Sequence, residues 1–169
     1  RPSRLVAFEI AETPLFHLER ELRESFPRLN LVLEIGSIQD QLRVDAVMNS
    51  HRPALVYHAA AYKHVPIMES SVVEAVANNV FGTMNVAQAA AEYGAEEFVL
   101  ISSDKAVRPT SVMGATKRMA EMVLQALQAE FGAKHGIRFT MVRFGNVLGS
   151  SGSVVPIFKQ QIERGGPVT

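Results

Sequence analysis

Short apolar runs alternate along this chain with longer stretches in which apolar residues recur every three or four positions. Residues 4–9 (RLVAFE) read as a short buried strand. Residues 11–26 carry Leu15, Leu18, Leu22 and Phe26 at helical spacing, and Pro27 stops that helix. A second strand is predicted over 29–33, followed by the turn Gly36-Ser37. A helix over 39–49 then leads to a third strand at 54–58. A long helical stretch over 70–93 ends at Gly94, and a fourth strand follows at 98–101. The helix over 112–134 is closed by Gly136, a fifth strand spans 138–144, and a last helix over 155–164 ends at Gly165-Gly166.

Buried strands separated by full helices predict βαβ units, hence an α/β fold with a parallel sheet covered on both faces. Right-handed crossovers make that sheet doubly wound. The pattern runs unbroken over residues 1–169 without repeat or linker and reads as one domain. In such folds ligands sit beyond the carboxyl ends of the strands. The places to search are therefore just after Phe8, His58, Ile101 and Phe144.

Composition narrows the chemistry. Lys plus Arg and Asp plus Glu are 17 each, and this neutrality argues against a nucleic-acid footprint. The absence of cysteine excludes a disulfide scaffold, a thiolate zinc site and a Cys nucleophile. His17, His51, His58, His64 and His135 include no i,i+4 pair, which sets aside a zinc hydrolase. No apolar run approaches the roughly 20 residues of a spanning helix, so no membrane contact is expected of residues 1–169. The chain opens on Arg1 rather than Met and closes on a turn signal at 165–169. Both ends are expected to be cuts through a larger fold.

Four segments carry candidate chemistry. After the third strand, Ala59, Ala60 and Ala61 leave a bare backbone for a flat ligand, and Lys63 and His64 add a charge and a titratable ring. The same residues also suit a plain helix start. After the fourth strand, Ser102-Ser103-Asp104-Lys105 is either a capped surface ion pair or an acid/base pair whose members tune one another. Met113 and Lys117 lie one turn apart on one helix face, as core filler and surface residue or as part of a site. The run from Arg143 to Ser153 suits a loop wrapping a phosphate-bearing ligand, but it is not a P-loop, and no G-x-G-x-x-G occurs.

Together and in this order, HAAAYKHVPIMES, NNVFGT, LISSDKAVRPTSVMGATKR and VRFGNVLGSSGSVVPIF resemble the extended short-chain dehydrogenase/reductases. More narrowly, they resemble the CapD-type polysaccharide biosynthesis proteins, the UDP-N-acetylglucosamine 4,6-dehydratases. The resemblance implies an NAD(P)-binding Rossmann-like fold that here lacks the first βα unit and the C-terminal part that closes over the sugar. It implies 4,6-dehydration of a UDP-N-acetylhexosamine to a UDP-4-keto-6-deoxy sugar. The isolated chain, without the phosphate-binding glycine loop, is expected to be inactive.

By the same resemblance, Lys117 holds the nicotinamide ribose, and Asp104 and Lys105 are the proton carriers, their acid and base roles left open. Ser103 stands where relatives often carry Thr. Met113 occupies the position of the usual catalytic Tyr, and a thioether moves no proton. Glu9 is expected to accept hydrogen bonds from the adenosine ribose, favouring NAD over NADP, or else to cap the next helix. Asp40 matches the adenine contact, Ala59, Ala60, Ala61 and Lys63 the cofactor wall, and Asn146 the UDP-sugar contact, with Lys63 near the substrate too. Asn79 and Thr83 are expected to brace the site rather than touch ligand. No metal is implied. Relatives dimerise through the helices at 70–93 and 112–134, and those with Met at this position are anchored in the inner membrane by spans outside this sequence. The resemblance thus implies that the chain is a cytoplasmic domain of a membrane protein. Rival readings are a nucleotide-sugar 4-epimerase and a non-catalytic nucleotide-binding module.

Overall fold

The computed structural model describes residues 2–145, 147 and 154–168, the Val154 side chain excepted. Among these residues five strands alternate with helices: β1 (Leu5–Glu9), α1 (Glu12–Ser25), β2 (Leu31–Ile35), α2 (Gln41–His51) and β3 (Leu55–His58). Then come α3 (Val65–Glu69), α4 (Val72–Val76), a π-helical segment (Ala77–Gly82) and α5 (Thr83–Glu92). The chain continues through β4 (Glu97–Ile101), a 3₁₀ turn (Asp104–Ala106), α6 (Val112–His135), β5 (Arg138–Val142) and α7 (Val154–Glu163). Every strand pairing is parallel, as the buried runs predict, and the fold is α/β.

The parallel strands are divided between two sheets. β1 pairs with β2, and β3, β4 and β5 pair in that order. Hydrophobic periodicity counts strands but carries no information on which lie side by side, so this lateral order is a finding of the structure. Between the sheets, β1 and β3 share no hydrogen-bond ladder.

The core centres on β4. Phe98 and Leu100 are fully buried on alternate positions and meet Val56, Phe139, Leu124 and the alanines of α5. Ala87, Ala89, Ala90 and Ala91 let α5 pack against both α2 and α6. A smaller apolar cluster joins Met68, Ala75 and Met113.

The predicted helix over 70–93 is corrected most. Helical structure begins earlier, at Val65 with Pro66 in its first turn, breaks at Ser70-Ser71, and passes through the π segment before α5. Ser71 is the break: its backbone is non-helical at φ −132° and ψ 50°. β2 lies two residues later than predicted because Leu29 still bonds back to Phe26 in the turn after α1. β5 stops at Val142, two residues short of the expected end. α6 matches expectation at both ends: Ser111 caps Gly114 N–H at 3.1 Å, and Gly136 takes the left-handed conformation at φ 72°.

Candidate active site

The tips of β1, β2 and β3 surround a cavity of about 220 Å³. Glu9 and Ile10 line one side, Gly36, Ser37 and Ile38 another, and Ala59, Ala60, Ala61 and Tyr62 the third. Glu9 Oε1 also accepts the Ala11 N–H at 3.1 Å, so one carboxylate both steadies the entry to α1 and faces the cavity. The three alanines present small surfaces there. Asp40 is not brought to this cavity. Its carboxylate caps α2 by accepting the Arg43 N–H at 3.1 Å. Lys63 lies in a neighbouring depression of about 310 Å³ with Tyr62, His64, Ile67, Ser71 and Glu74.

The segment after β3 is held from the π-helical turn. Buried Asn79 accepts the Tyr62 N–H at 2.8 Å and donates to the Tyr62 carbonyl at 3.1 Å and to Thr116 Oγ1 at 3.0 Å. This side chain thus ties the alanine-lined loop to α6, the bracing role expected of it. Thr83 gives its one hydroxyl proton to the Asn79 carbonyl at 2.7 Å and therefore accepts from His58 Nε2 at 2.9 Å. Burial, and then the charge of Lys117, push the His58 pKa down to about 3, so the ring is neutral.

The turn beyond β4 carries the exposed pair. Lys105 Nζ lies 3.2 Å from Asp104 Oδ1, and Ser103 Oγ donates to the same oxygen at 2.9 Å. The Ser103 hydroxyl and then the Lys105 ammonium hold the Asp104 carboxyl below its usual value. Asp104 and Lys105 are 57% and 42% exposed, which leaves both open to an incoming molecule. Gly114 on α6 abuts this turn so closely that a Cβ there would stand 2.4 Å from the Lys105 carbonyl oxygen. Gly145 faces Asp104 from the other side; its Cβ would lie 3.4 Å from Oδ2.

Lys117 is buried and donates to the carbonyl of Ile101, the last residue of β4, at 2.6 Å. Burial pushes its pKa down to about 8, against the opposing pull of Glu121. Met113, one turn earlier, is 4% exposed and packs among Met68, Ala75, Val65 and Val112. Asp104, Lys105 and Lys117 therefore converge on the end of one strand, while Met113 belongs to the packing beneath. Asn146 and the glycine-rich run at 148–153 lie outside the described residues.

The sequence reading missed the cluster that joins these parts. Glu121 is fully buried on α6, one turn after Lys117. It accepts from Ser102 Oγ at 2.6 Å, from Arg143 at 2.8 and 2.6 Å, and from Arg118 at 3.0 Å. Arg143, then Ser102 and Arg118, hold its pKa at about 2 against the cost of burial. The available signal was a carboxylate on the apolar face of α6 that also carries Lys117, Ala120 and Leu124. Among the described residues, no group of three or more His, Asp or Glu side chains is placed to hold a metal, and no helix is long and apolar enough to cross a membrane.

The family profile described as "Polysaccharide biosynthesis protein" matches residues 1–169. The chain is 48% identical over 169 residues to the capsular polysaccharide biosynthesis protein CapD of Staphylococcus aureus, spanning 99% of this chain and 28% of CapD. It is 36% identical over 172 aligned residues to a UDP-N-acetylglucosamine 4,6-dehydratase (inverting) of Campylobacter jejuni, spanning 100% of this chain and 49% of that enzyme. Among solved structures it superposes on Pen from Bacillus thuringiensis with a TM-score of 0.87 at 38% identity, over 96% of this chain and 49% of Pen. The chain thus spans between 28% and 49% of the length of these relatives.

Proposed function

The chain belongs to the polysaccharide biosynthesis protein family, and from that premise we propose that the whole protein is an NAD-dependent 4,6-dehydratase of a UDP-N-acetylhexosamine. One observation carries the reading. Beside buried Lys117, the proton-bearing groups exposed at the end of β4 are Asp104 and Lys105, while the position four residues before Lys117 holds a methionine sealed in the core.

The residues fit a nicotinamide dinucleotide. Glu9 faces the cavity at the tip of β1, where its carboxylate would accept from ribose hydroxyls and repel a 2′-phosphate. Ala59, Ala60 and Ala61 give an apolar wall against which a flat ring can lie. When bound, the cofactor supplies hydride acceptance and return. Lys117 would hold the nicotinamide ribose and keep positive charge near the oxidised C4 of the sugar. The C4 ketone acidifies the C5 proton. Asp104 and Lys105 take that proton and deliver one to the departing C6 hydroxyl, which leaves as water. Lys63 and Asn146 are proposed contacts to the UDP-sugar.

Incubating the whole protein with UDP-N-acetylglucosamine and NAD, followed by mass spectrometry, tests the reading. A product lighter by one water is expected. An isomer of unchanged mass would make the protein an epimerase instead, and no turnover would reduce it to a nucleotide-binding module.

A homodimer belongs to the same proposal. Val73 and Phe81, before α5, and Met119 and Met122, on α6, expose apolar surface on the two helical stretches expected to pair. Light scattering of the whole protein should give twice the chain mass, and Phe81→Glu with Met122→Glu should halve it. We also propose that the whole protein is anchored at the inner membrane with this region in the cytoplasm, which cell fractionation with protease protection checks.

A further inference from the structure

Glu121 makes more polar contacts than its place on a packed helix requires. Its partners come from three elements: Ser102 is the first residue beyond β4, Arg143 the first beyond β5, and Arg118 lies one turn earlier on α6 itself. The two strand ends it grips are also tied to each other. Ser102 N–H donates to the Val142 carbonyl at 2.8 Å, and Asp104 N–H donates to the Phe144 carbonyl at 3.2 Å. Lys117 lies on the same face of α6, one turn before Glu121. One buried carboxylate therefore sets the spacing between the Asp104–Lys105 turn, the segment after β5 and the helix that carries Lys117.

Resting on the function proposed above, we infer that Glu121 is a positioning residue for that site: through Ser102 and Arg143 it fixes the tips of β4 and β5 so that Asp104 and Lys105 meet the sugar in register with Lys117. Fold stability alone is a poor reason for such a group. A buried acid with its arginines is often replaced by well-packed apolar residues without loss of stability, whereas geometry held by bidentate hydrogen bonds is lost. In Glu121→Gln the new amide would still accept from Ser102 but would offer Arg143 only one acceptor oxygen.

The test uses the whole protein with two variants, Glu121→Gln and the apolar replacement Glu121→Leu/Arg143→Met. Turnover of UDP-N-acetylglucosamine is measured as kcat and KM separately, and deuterium exchange is followed at residues 102–106. Misplacement of a catalytic group by a fraction of an ångström predicts kcat lower by about tenfold to a hundredfold, KM within about threefold, and faster exchange at 102–106. Glu121→Asp, which keeps the charge on a shorter arm, should recover part of kcat. A folded Glu121→Leu/Arg143→Met protein with undiminished kcat overturns the inference, even if Glu121→Gln fails to fold. Should the wild-type protein show no dehydration, the functional reading falls by itself. The exchange data then decide: unchanged protection at 102–106 in the variants overturns the positioning role, and lost protection upholds it.

Discussion

Lys117 reaches across from α6 to the last carbonyl of β4, donating to Ile101 at 2.6 Å from a position that is 6% exposed. The bond fastens the helix to the strand whose next residues carry Asp104 and Lys105. It also holds an ammonium where water is scarce, and the charged form is disfavoured accordingly.

That placement has a measurable pH signature. Lys117 titrates near 8 in the folded chain and near its ordinary 10.5 when unfolded. Between those values the unfolded state binds the extra proton, so stability rises with pH across the window. Below 8 the group is charged in both states and the full penalty is present. The difference in urea midpoint between wild type and Lys117→Met is therefore expected to move in favour of wild type from about pH 7.5 to about pH 10, other titrations cancelling in the comparison. A difference that stays flat across the window contradicts the burial argument.

Asp104 calls for the opposite pattern. Its side chain is 57% exposed and its partners are the adjacent Ser103 and Lys105, so Asp104→Asn should leave the thermal midpoint where it is. Turnover of the whole protein should nevertheless fall by about 10²–10⁴, the usual worth of a positioned proton carrier. Calorimetry and product mass spectrometry on the same preparation separate the two effects. Undiminished turnover would show that the carboxylate moves no proton.

The strands were legible because each is a short, unbroken apolar run, as at Phe98–Leu100, although burial falls on alternate positions, with Tyr57 and Val142 exposed on the other face. Caps were legible where one residue type is enough to make them, as Ser111 and Gly136 do for α6. Lateral order was not, since nothing in a run of apolar residues names its neighbour. Nor was the π segment within the residues read as one helix: Asn79 sits in a π turn from which it bonds both polar groups of Tyr62, a tertiary demand that overrides the 3.6-residue period. The site was half legible. Glu9, the three alanines and the Asp104–Lys105 turn stand at strand ends, where the fold alone directs attention. Glu121 escaped because its meaning lies in Ser102 and Arg143, which are distant in sequence. Asp40, expected beside a ligand, also caps α2, a role its sequence position alone does not separate from the other.

Gly114 offers a test in which local preference and tertiary packing disagree. Alanine is a better helix former than glycine by about 1 kcal/mol, so Gly114→Ala should stabilise α6 in isolation. Its methyl group would stand 2.4 Å from the Lys105 carbonyl oxygen, a main-chain atom with no rotamer to change. The turn carrying Asp104 and Lys105 must shift. Net destabilisation of about 1–3 kcal/mol is expected despite the helix gain, with turnover lowered further than stability alone explains. A more stable and fully active Gly114→Ala protein would mean that the turn is free to move.

Asn79 provides the complementary case, a side chain that touches no proposed reacting group yet holds one wall of the cavity. Asn79→Ala leaves the Tyr62 N–H and carbonyl, on a half-exposed segment, without their side-chain partner and takes a donor from buried Thr116. The loss should be about 1–3 kcal/mol, the range for leaving one buried polar group unpaired, since water can reach the Tyr62 groups. Because the freed segment is the one that bears Ala59, Ala60 and Ala61, deuterium exchange should rise at 59–63 before it rises in β4. Asn79→Asp separates the halves of the clamp, since a carboxylate still accepts from the Tyr62 N–H but has nothing to donate to its carbonyl or to Thr116. Its carboxylate, buried without a counter-charge against the Tyr62 carbonyl and Thr116 Oγ1, should make it no more stable than Asn79→Ala. Equal stability of all three proteins in urea would show that the loop is held by something other than this amide.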